Sequence, residues 1–223
     1  SSLERNGKTI MNIEVVHPAN VGWLKAKLDN KAIKVLDKYI SKSKINFKPH
    51  LVGHVKSSLT LIDEDNYFFN TVLTPLIEEY VKQFGKDFVH RQLTNDHSFV
   101  LDQMWVNFQN KHEFNPVHDH PGIFSFVVWK EIPYSMKKEH SLDIFKDVNE
   151  KLSGCFEFFY TDTLGKIRSH IYKADKKFNN FILLFPSMMS HAVYPFYTSN
   201  KKRISISGNI KLDSKKIVNC VYD

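Results

Sequence analysis

The sequence predicts a mainly β chain of the α+β class: a sandwich or jelly roll with helices from its N-terminal part packed on one sheet. Three observations carry that reading. Two amphipathic stripes precede residue 98, short runs rich in Val, Ile, Phe and Tyr follow it, and Asn, Pro, Gly, Asp and Ser separate those runs.

Over residues 20–43, Val21, Leu24, Leu28, Ile33, Leu36 and Ile40 recur at three- to five-residue spacings, the period of a helix with one buried face. A second stripe over residues 67–84 consists of Phe68, Val72, Leu73, Leu76, Ile77, Tyr80 and Val81. Strands are then expected near 99–109, 123–130, 154–161, 166–172, 180–185, 192–195 and 202–211, and seven or eight such strands suit a two-layered β fold. Residues 131–153 break the series. They are strongly charged, carry Pro133 early, and read as an insertion between strands; long insertions of this kind often cover a site, so this one is expected to gate substrate entry.

No repeat, low-complexity tract or Gly/Ser linker marks a boundary, so the expected organisation is a single domain over 1–223. Within it, 1–97 forms a helical N-terminal support region, 98–212 the β core with the 131–153 insertion, and 213–223 a C-terminal tail. With 42% hydrophobic and 25% charged residues the composition is that of an ordinary globular protein. Apolar stretches such as Phe181 to Phe185 are far below the roughly 20 residues that cross a bilayer, and no charged-then-apolar segment opens the chain. A cytoplasmic location follows as the expectation, in the host cell if the source is viral. The two cysteines, Cys155 and Cys220, are too few for a disulfide framework or a thiolate zinc site, and both are expected to be reduced. The net charge of +7 is spread over lysine pairs interleaved with acids, which argues against a nucleic-acid partner.

The chemistry concentrates in Asn115-Pro116-Val117-His118-Asp119-His120-Pro121-Gly122. In an extended chain alternate side chains share a side, so His118 and His120 can grip one ion while Asp119 points away. Imidazole is the commonest transition-metal ligand among side chains. A third histidine, His191, follows the apolar run Phe181 to Phe185 and Pro186, which places it at the rim of a sheet. Beyond it, Arg203, Ser205, Ser207 and Asn209 alternate with Ile204, Ile206 and, past Gly208, Ile210. The polar face offers a guanidinium that can fork onto a carboxylate, with a serine hydroxyl two residues on.

In order and spacing, NPVHDHPG, the apolar run after it, LLFPSMMSHAVYPF and RISISGN resemble the iron(II)/2-oxoglutarate-dependent oxygenases. The resemblance is greatest to the prolyl-hydroxylase-like branch common in bacteriophages and marine bacteria, and covers roughly 101–211. It implies a double-stranded β-helix (jelly roll) core, and an enzyme that couples oxidative decarboxylation of 2-oxoglutarate to hydroxylation of a peptidyl residue such as proline, or of a small molecule. The cofactors implied are Fe(II), 2-oxoglutarate and O₂. His118 and His191 would be iron ligands, Arg203 with Ser205 would bind the distal carboxylate of 2-oxoglutarate, and Asn107 stands where relatives carry pocket residues, as does Trp105, which core packing explains equally well.

One position departs from the family's pattern. Relatives carry Asp or Glu where this chain has His120. His120 is then the third ligand of a neutral three-histidine site whose charge the 2-oxoglutarate dianion balances; or a carboxylate such as Asp119 or Glu157 completes the set with His120 behind it; or the site is degenerate. Two other functions stay open at this level: a three-histidine, cupin-like metalloenzyme without 2-oxoglutarate, and a non-catalytic phage β-sandwich. Phe156, Phe158 and Tyr160 read as core, and Arg168 and His170 as a solvated strand face. His17, His50, His54, His90, His97, His112 and His140 have no partner spacing that suggests a role.

Overall fold

Why the strands fall into two layers follows from their side-chain alternation, which buries both faces of one sheet. The computed structural model describes residues 20–85 and 98–213, together with the backbone of an antiparallel hairpin, β1 (Ser2–Arg5) and β2 (Lys8–Asn12). Cys220, His17, His90 and His97 lie outside the described residues.

A six-stranded antiparallel sheet runs in the order β3 (Leu24–Lys27), β10 (Phe181–Pro186), β7 (Phe124–Glu131), β12 (Arg203–Leu212), β5 (Phe99–Gln109) and β4 (Ser58–Thr60). A four-stranded sheet runs β6 (Asn115–His118), β11 (His191–Val193), β8 (Phe156–Thr161) and β9 (Ile167–Tyr172). Strands β5 to β12 thus cross back and forth between the two sheets, the wiring of a jelly roll.

Strand β7 shows the layering. Phe124, Phe126 and Val128 join Ile182, Leu184, Ile206 and Ile210 under the two helices, while Val127 and Trp129 join Phe156, Phe158, Leu183 and Phe185 between the sheets. Helix α1 (Asn30–Lys42) supplies Ile33 and Leu36 to the first cluster, and α2 (Thr74–Phe84) supplies Ile77 and Tyr80. Burying a side chain such as Leu36 contributes about 2 kcal/mol. Gly208 leaves no room for a side chain, because a Cβ there would lie 2.5 Å from the Gln103 carbonyl oxygen and 2.6 Å from the Phe126 ring.

The first helix is shorter than the apolar stripe predicts. Leu24 to Lys27 form β3 instead, paired with β10, and the helix begins only after Asp29, whose carboxylate accepts from the Ala32 amide at 2.7 Å. A β-sheet edge in need of a partner overrides local helical periodicity here. The second stripe is helical throughout, starting with a π-helical turn, Phe69–Leu73. The strand β4 has no counterpart in the sequence reading.

The insertion is anchored rather than loose. It carries a short helix, α3 (Met136–Glu139), and Glu139 is 0% exposed, accepting from the Ser153 hydroxyl at 2.5 Å, the backbone amides of Tyr197 and Thr198 at 2.9 and 2.8 Å, and the Thr198 hydroxyl. Tyr134 stacks on Phe196 with ring centres 4.7 Å apart. Among the described residues, no helix is long and apolar enough to cross a membrane.

Candidate metal centre

Two of the corners where the chain leaves one sheet for the other lie side by side at one end of the jelly roll. The first runs from β6 to β7 through His118 and His120; the second runs from β10 to β11 and ends on His191. They are tied together by backbone bonds, His120 N–H to Ser187 O at 3.0 Å and Ser187 N–H to Ile123 O at 3.0 Å. Gly122 makes the turn possible. Its φ is +111°, and a Cβ there would stand 2.7 Å from the Ile210 carbonyl oxygen.

His118 and His191 are cross-strand partners, with ring centres 4.3 Å apart. His120 completes a triangle at 4.9 Å from His118 and 5.1 Å from His191. One ring nitrogen of each of the three lies within 4.8 Å of those of the others, and neither Asp119 nor Glu157 belongs to the set. Asp119 is exposed, and the Glu157 carboxylate accepts from the Tyr194 hydroxyl at 2.5 Å.

Two backbone carbonyls fix the tautomers. His118 Nδ1 lies 2.7 Å from Pro116 O and His191 Nδ1 lies 3.0 Å from Met189 O; a carbonyl only accepts, so each Nδ1 carries the proton and each Nε2 offers its lone pair. Burial, and then the charge that His118 would carry, lowers the His120 pKa to about 4. Burial first, then His118 and His120, holds His191 well below the usual histidine range. Both are neutral donors at neutral pH. Around His191 stand Phe156, Phe158 and Phe185, with ring centres at 5.5, 6.2 and 5.1 Å.

The histidines open into a cavity of about 330 Å³ between the sheets. Its β5 wall presents Gln103, Trp105, Asn107 and Gln109, and its β12 wall Arg203, Ser205, Ser207 and Asn209, so the polar alternation of the last strand faces a cavity and not solvent. Asn107 accepts from the Ser58 hydroxyl at 2.6 Å, and Ser205 is its cross-strand neighbour.

Arg203 is 1% exposed. Its Nε and Nη2 donate to Gln109 Oε1 at 3.1 and 2.6 Å, Nη1 donates to the Tyr134 hydroxyl at 2.6 Å and to Gly154 O at 3.4 Å, and Nη2 donates to Tyr194 O at 3.1 Å. None of these acceptors is charged. A buried cation without a counter-ion among the described residues is costly. Two buried side-chain polar atoms lack a partner among the described residues, Trp105 Nε1 and Asn115 Oδ1, and both belong to residues on this cavity's wall. Imidazole nitrogens at one end and a guanidinium without a counter-ion among the described residues on the wall fit a divalent ion and a dicarboxylate.

Sequence reasoning missed several participants. Tyr134 and Gln109 hold the guanidinium, and Gln109 was legible as the next residue on the Trp105–Asn107 face. The wall nearest Asn115 comes from Phe47, Leu51, Val52, Gly53 and Val55, which carry no pattern that marks them. No residue of 131–153 lines the cavity, so the insertion reaches the site through Arg203 and not as a cover over it. Other described histidines serve elsewhere: His54 stacks on Phe114, His112 meets Tyr197, His140 Nε2 lies 3.2 Å from Ser153 O, and His170 meets Trp23 and Tyr172 edge-on. Arg168 pairs with Asp162 at 2.8 Å on an exposed strand face, as its pattern predicts.

A family model for the 2OG-Fe(II) oxygenases matches residues 103–209. No curated protein matches the chain by sequence. Among solved structures, a Pseudomonas putida prolyl-4-hydroxylase is similar with a TM-score of 0.50 at 13% identity, over 86% of this chain and 92% of that one. An oxidoreductase of the 2OG-Fe(II) oxygenase family from Burkholderia pseudomallei gives 0.52 at 12% identity, over 85% and 84%. At such identities these likenesses show the jelly-roll fold. Residues 103–209 thus match the iron(II)/2-oxoglutarate-dependent oxygenases, enzymes whose cofactors are Fe(II), 2-oxoglutarate and O₂, and the three histidines lie within that span.

Proposed function

We propose that this oxygenase hydroxylates a peptidyl residue or a small molecule, with His118, His120 and His191 holding the iron and Arg203 and Ser205 receiving the distal carboxylate of 2-oxoglutarate. The observation that carries the ligand assignment is the convergence of the three histidine nitrogens within 4.8 Å at the mouth of the cavity that Arg203 lines. A prolyl peptide is the first substrate to assay, given the similarity to a prolyl-4-hydroxylase.

When bound, the iron and 2-oxoglutarate supply the O₂-dependent oxidation that the protein's side chains cannot perform. The chain supplies position and field. Pro116 O and Met189 O orient two imidazoles, so the donor atoms need no rearrangement when the ion arrives. Phe156, Phe158 and Phe185 keep water from the buried side of His191. Arg203, aimed by Gln109 and Tyr134, meets an incoming carboxylate by sharing donors with neutral partners, so no other anion has to leave.

The test is succinate formation from 2-oxoglutarate under aerobic conditions, alongside direct Fe(II) binding. Iron-dependent turnover in the wild type, lost together with metal binding in His191→Ala, is the expected result; unaltered iron binding in that variant overturns the ligand assignment. Replacement of the family's acid by His120 also favours a second reading, a three-histidine metalloenzyme that does not use 2-oxoglutarate. Arg203→Ala separates the two, because only the first reading expects it to abolish 2-oxoglutarate binding while sparing the metal.

A further inference from the structure

The charges around the cavity are one-sided. The three candidate ligands are imidazoles and none is an acid, the buried guanidinium of Arg203 has no acid among its partners, and the acid among the cavity's lining residues, Asp119, is exposed and outside the histidine set. Glu157 lies outside the histidine set and outside the cavity's lining, where its carboxylate accepts from the Tyr194 hydroxyl. A divalent ion entering this site therefore adds its full charge to a cavity that is already positive. Nothing contributed by the protein at the ligand positions neutralises it.

We propose that His120 makes the metal and an anionic chelator bind as a pair, each weak alone and each strengthening the other, so that a dianionic 2-oxo acid acts as the missing charged ligand. The inference rests on the three-histidine reading of the metal centre. Its physical basis is Coulombic: a carboxylate at the position of His120 would cancel one charge of the ion permanently, whereas an imidazole leaves that task to the cosubstrate. Coupling between two ligands is reciprocal, so the factor by which the anion tightens the metal equals the factor by which the metal tightens the anion. The site would then hold little metal when no dianion is present.

The experiment titrates Mn(II) into the full chain, with and without N-oxalylglycine, for the wild type, His120→Asp and His191→Ala, following the bound metal by electron paramagnetic resonance. In the wild type the analogue should tighten Mn(II) at least about tenfold, within the usual range of coupling between ligands. In His120→Asp, Mn(II) alone should bind more tightly than in the wild type and the enhancement should shrink several-fold. Equal enhancement in the two proteins overturns the inference while leaving the metal centre intact. If instead His191→Ala binds Mn(II) like the wild type, the metal centre itself is misassigned. Should His120→Asp fail to fold by circular dichroism, the wild type alone decides: oxalate, a dianion, should raise Mn(II) affinity and imidazole, a neutral donor, should not. The same gain from both refutes the proposal.

Discussion

The Tyr134 hydroxyl accepts from Arg203 Nη1 at 2.6 Å and donates to Gly154 O at 2.9 Å, so one phenol fastens the insertion to the strand that walls the cavity. Tyr134→Phe removes both bonds and leaves a buried guanidinium donor unmet. A stability loss of about 1–3 kcal/mol is expected from urea denaturation. Affinity for 2-oxoglutarate should fall several-fold, because Arg203 loses one of the groups that aim it, and metal affinity should stay as it is. An equal fall in metal affinity would contradict the separation of the two subsites.

Glu139 anchors the other end of the insertion through acceptors turned to Ser153, Tyr197 and Thr198. Glu139→Gln places an amide N–H₂ against groups that are themselves donors. The variant should lose about 1–3 kcal/mol and be cut faster by trypsin within 131–153, where lysines are frequent. Since no insertion residue lines the cavity, Mn(II) affinity should not change.

Gly53 faces Asn115 so closely that an added Cβ would lie 1.7 Å from its Oδ1. Gly53→Ala must turn the Asn115 side chain out of its place on the cavity wall or shift the segment that carries it. The expected cost is about 1–3 kcal/mol, with a lower thermal midpoint and weaker metal binding together. A variant as stable as the wild type would show that the 47–55 segment yields freely.

Burial pushes the Cys155 thiol up to about 11, above its ordinary value of 9.0. Because the folded state holds this proton more tightly than the unfolded chain, its contribution to stability is complete below pH 9 and is lost as pH rises towards 11. Iodoacetamide should leave Cys155 unmodified in the native protein at pH 8 and modify it in urea, as peptide mass spectrometry will read. Rapid native labelling would mean that the strand edge at Gly154 opens readily.

Much of the fold was legible because alternation is written directly into the chain. The run Arg203 to Ile210 separates a polar from an apolar face by residue type alone, and the structure seats the isoleucines under the helices and the polar set on the cavity. Strand β5 has the extent its pattern predicts, Phe99–Gln109. The stripe over 20–43 misled because Leu24 and Leu28, four residues apart, share a face in a helix and in a strand alike, and only the free edge of β10 chose between them.

The histidine pair and the later lone histidine were visible as residue types at suggestive places, and a two-residue spacing on an extended chain already puts His118 and His120 on one side. Sequence by itself thus determined the layered β architecture, the three histidines as candidate donors and the polar face bearing the guanidinium, since these depend on local alternation. Only the tertiary structure decided that His191 meets His118, that no carboxylate among the described residues joins them, and that Tyr134 and Gln109 hold Arg203. Those facts depend on how two sheet-to-sheet corners and an insertion pack together, and side-chain periodicity holds no record of contacts between residues distant along the chain.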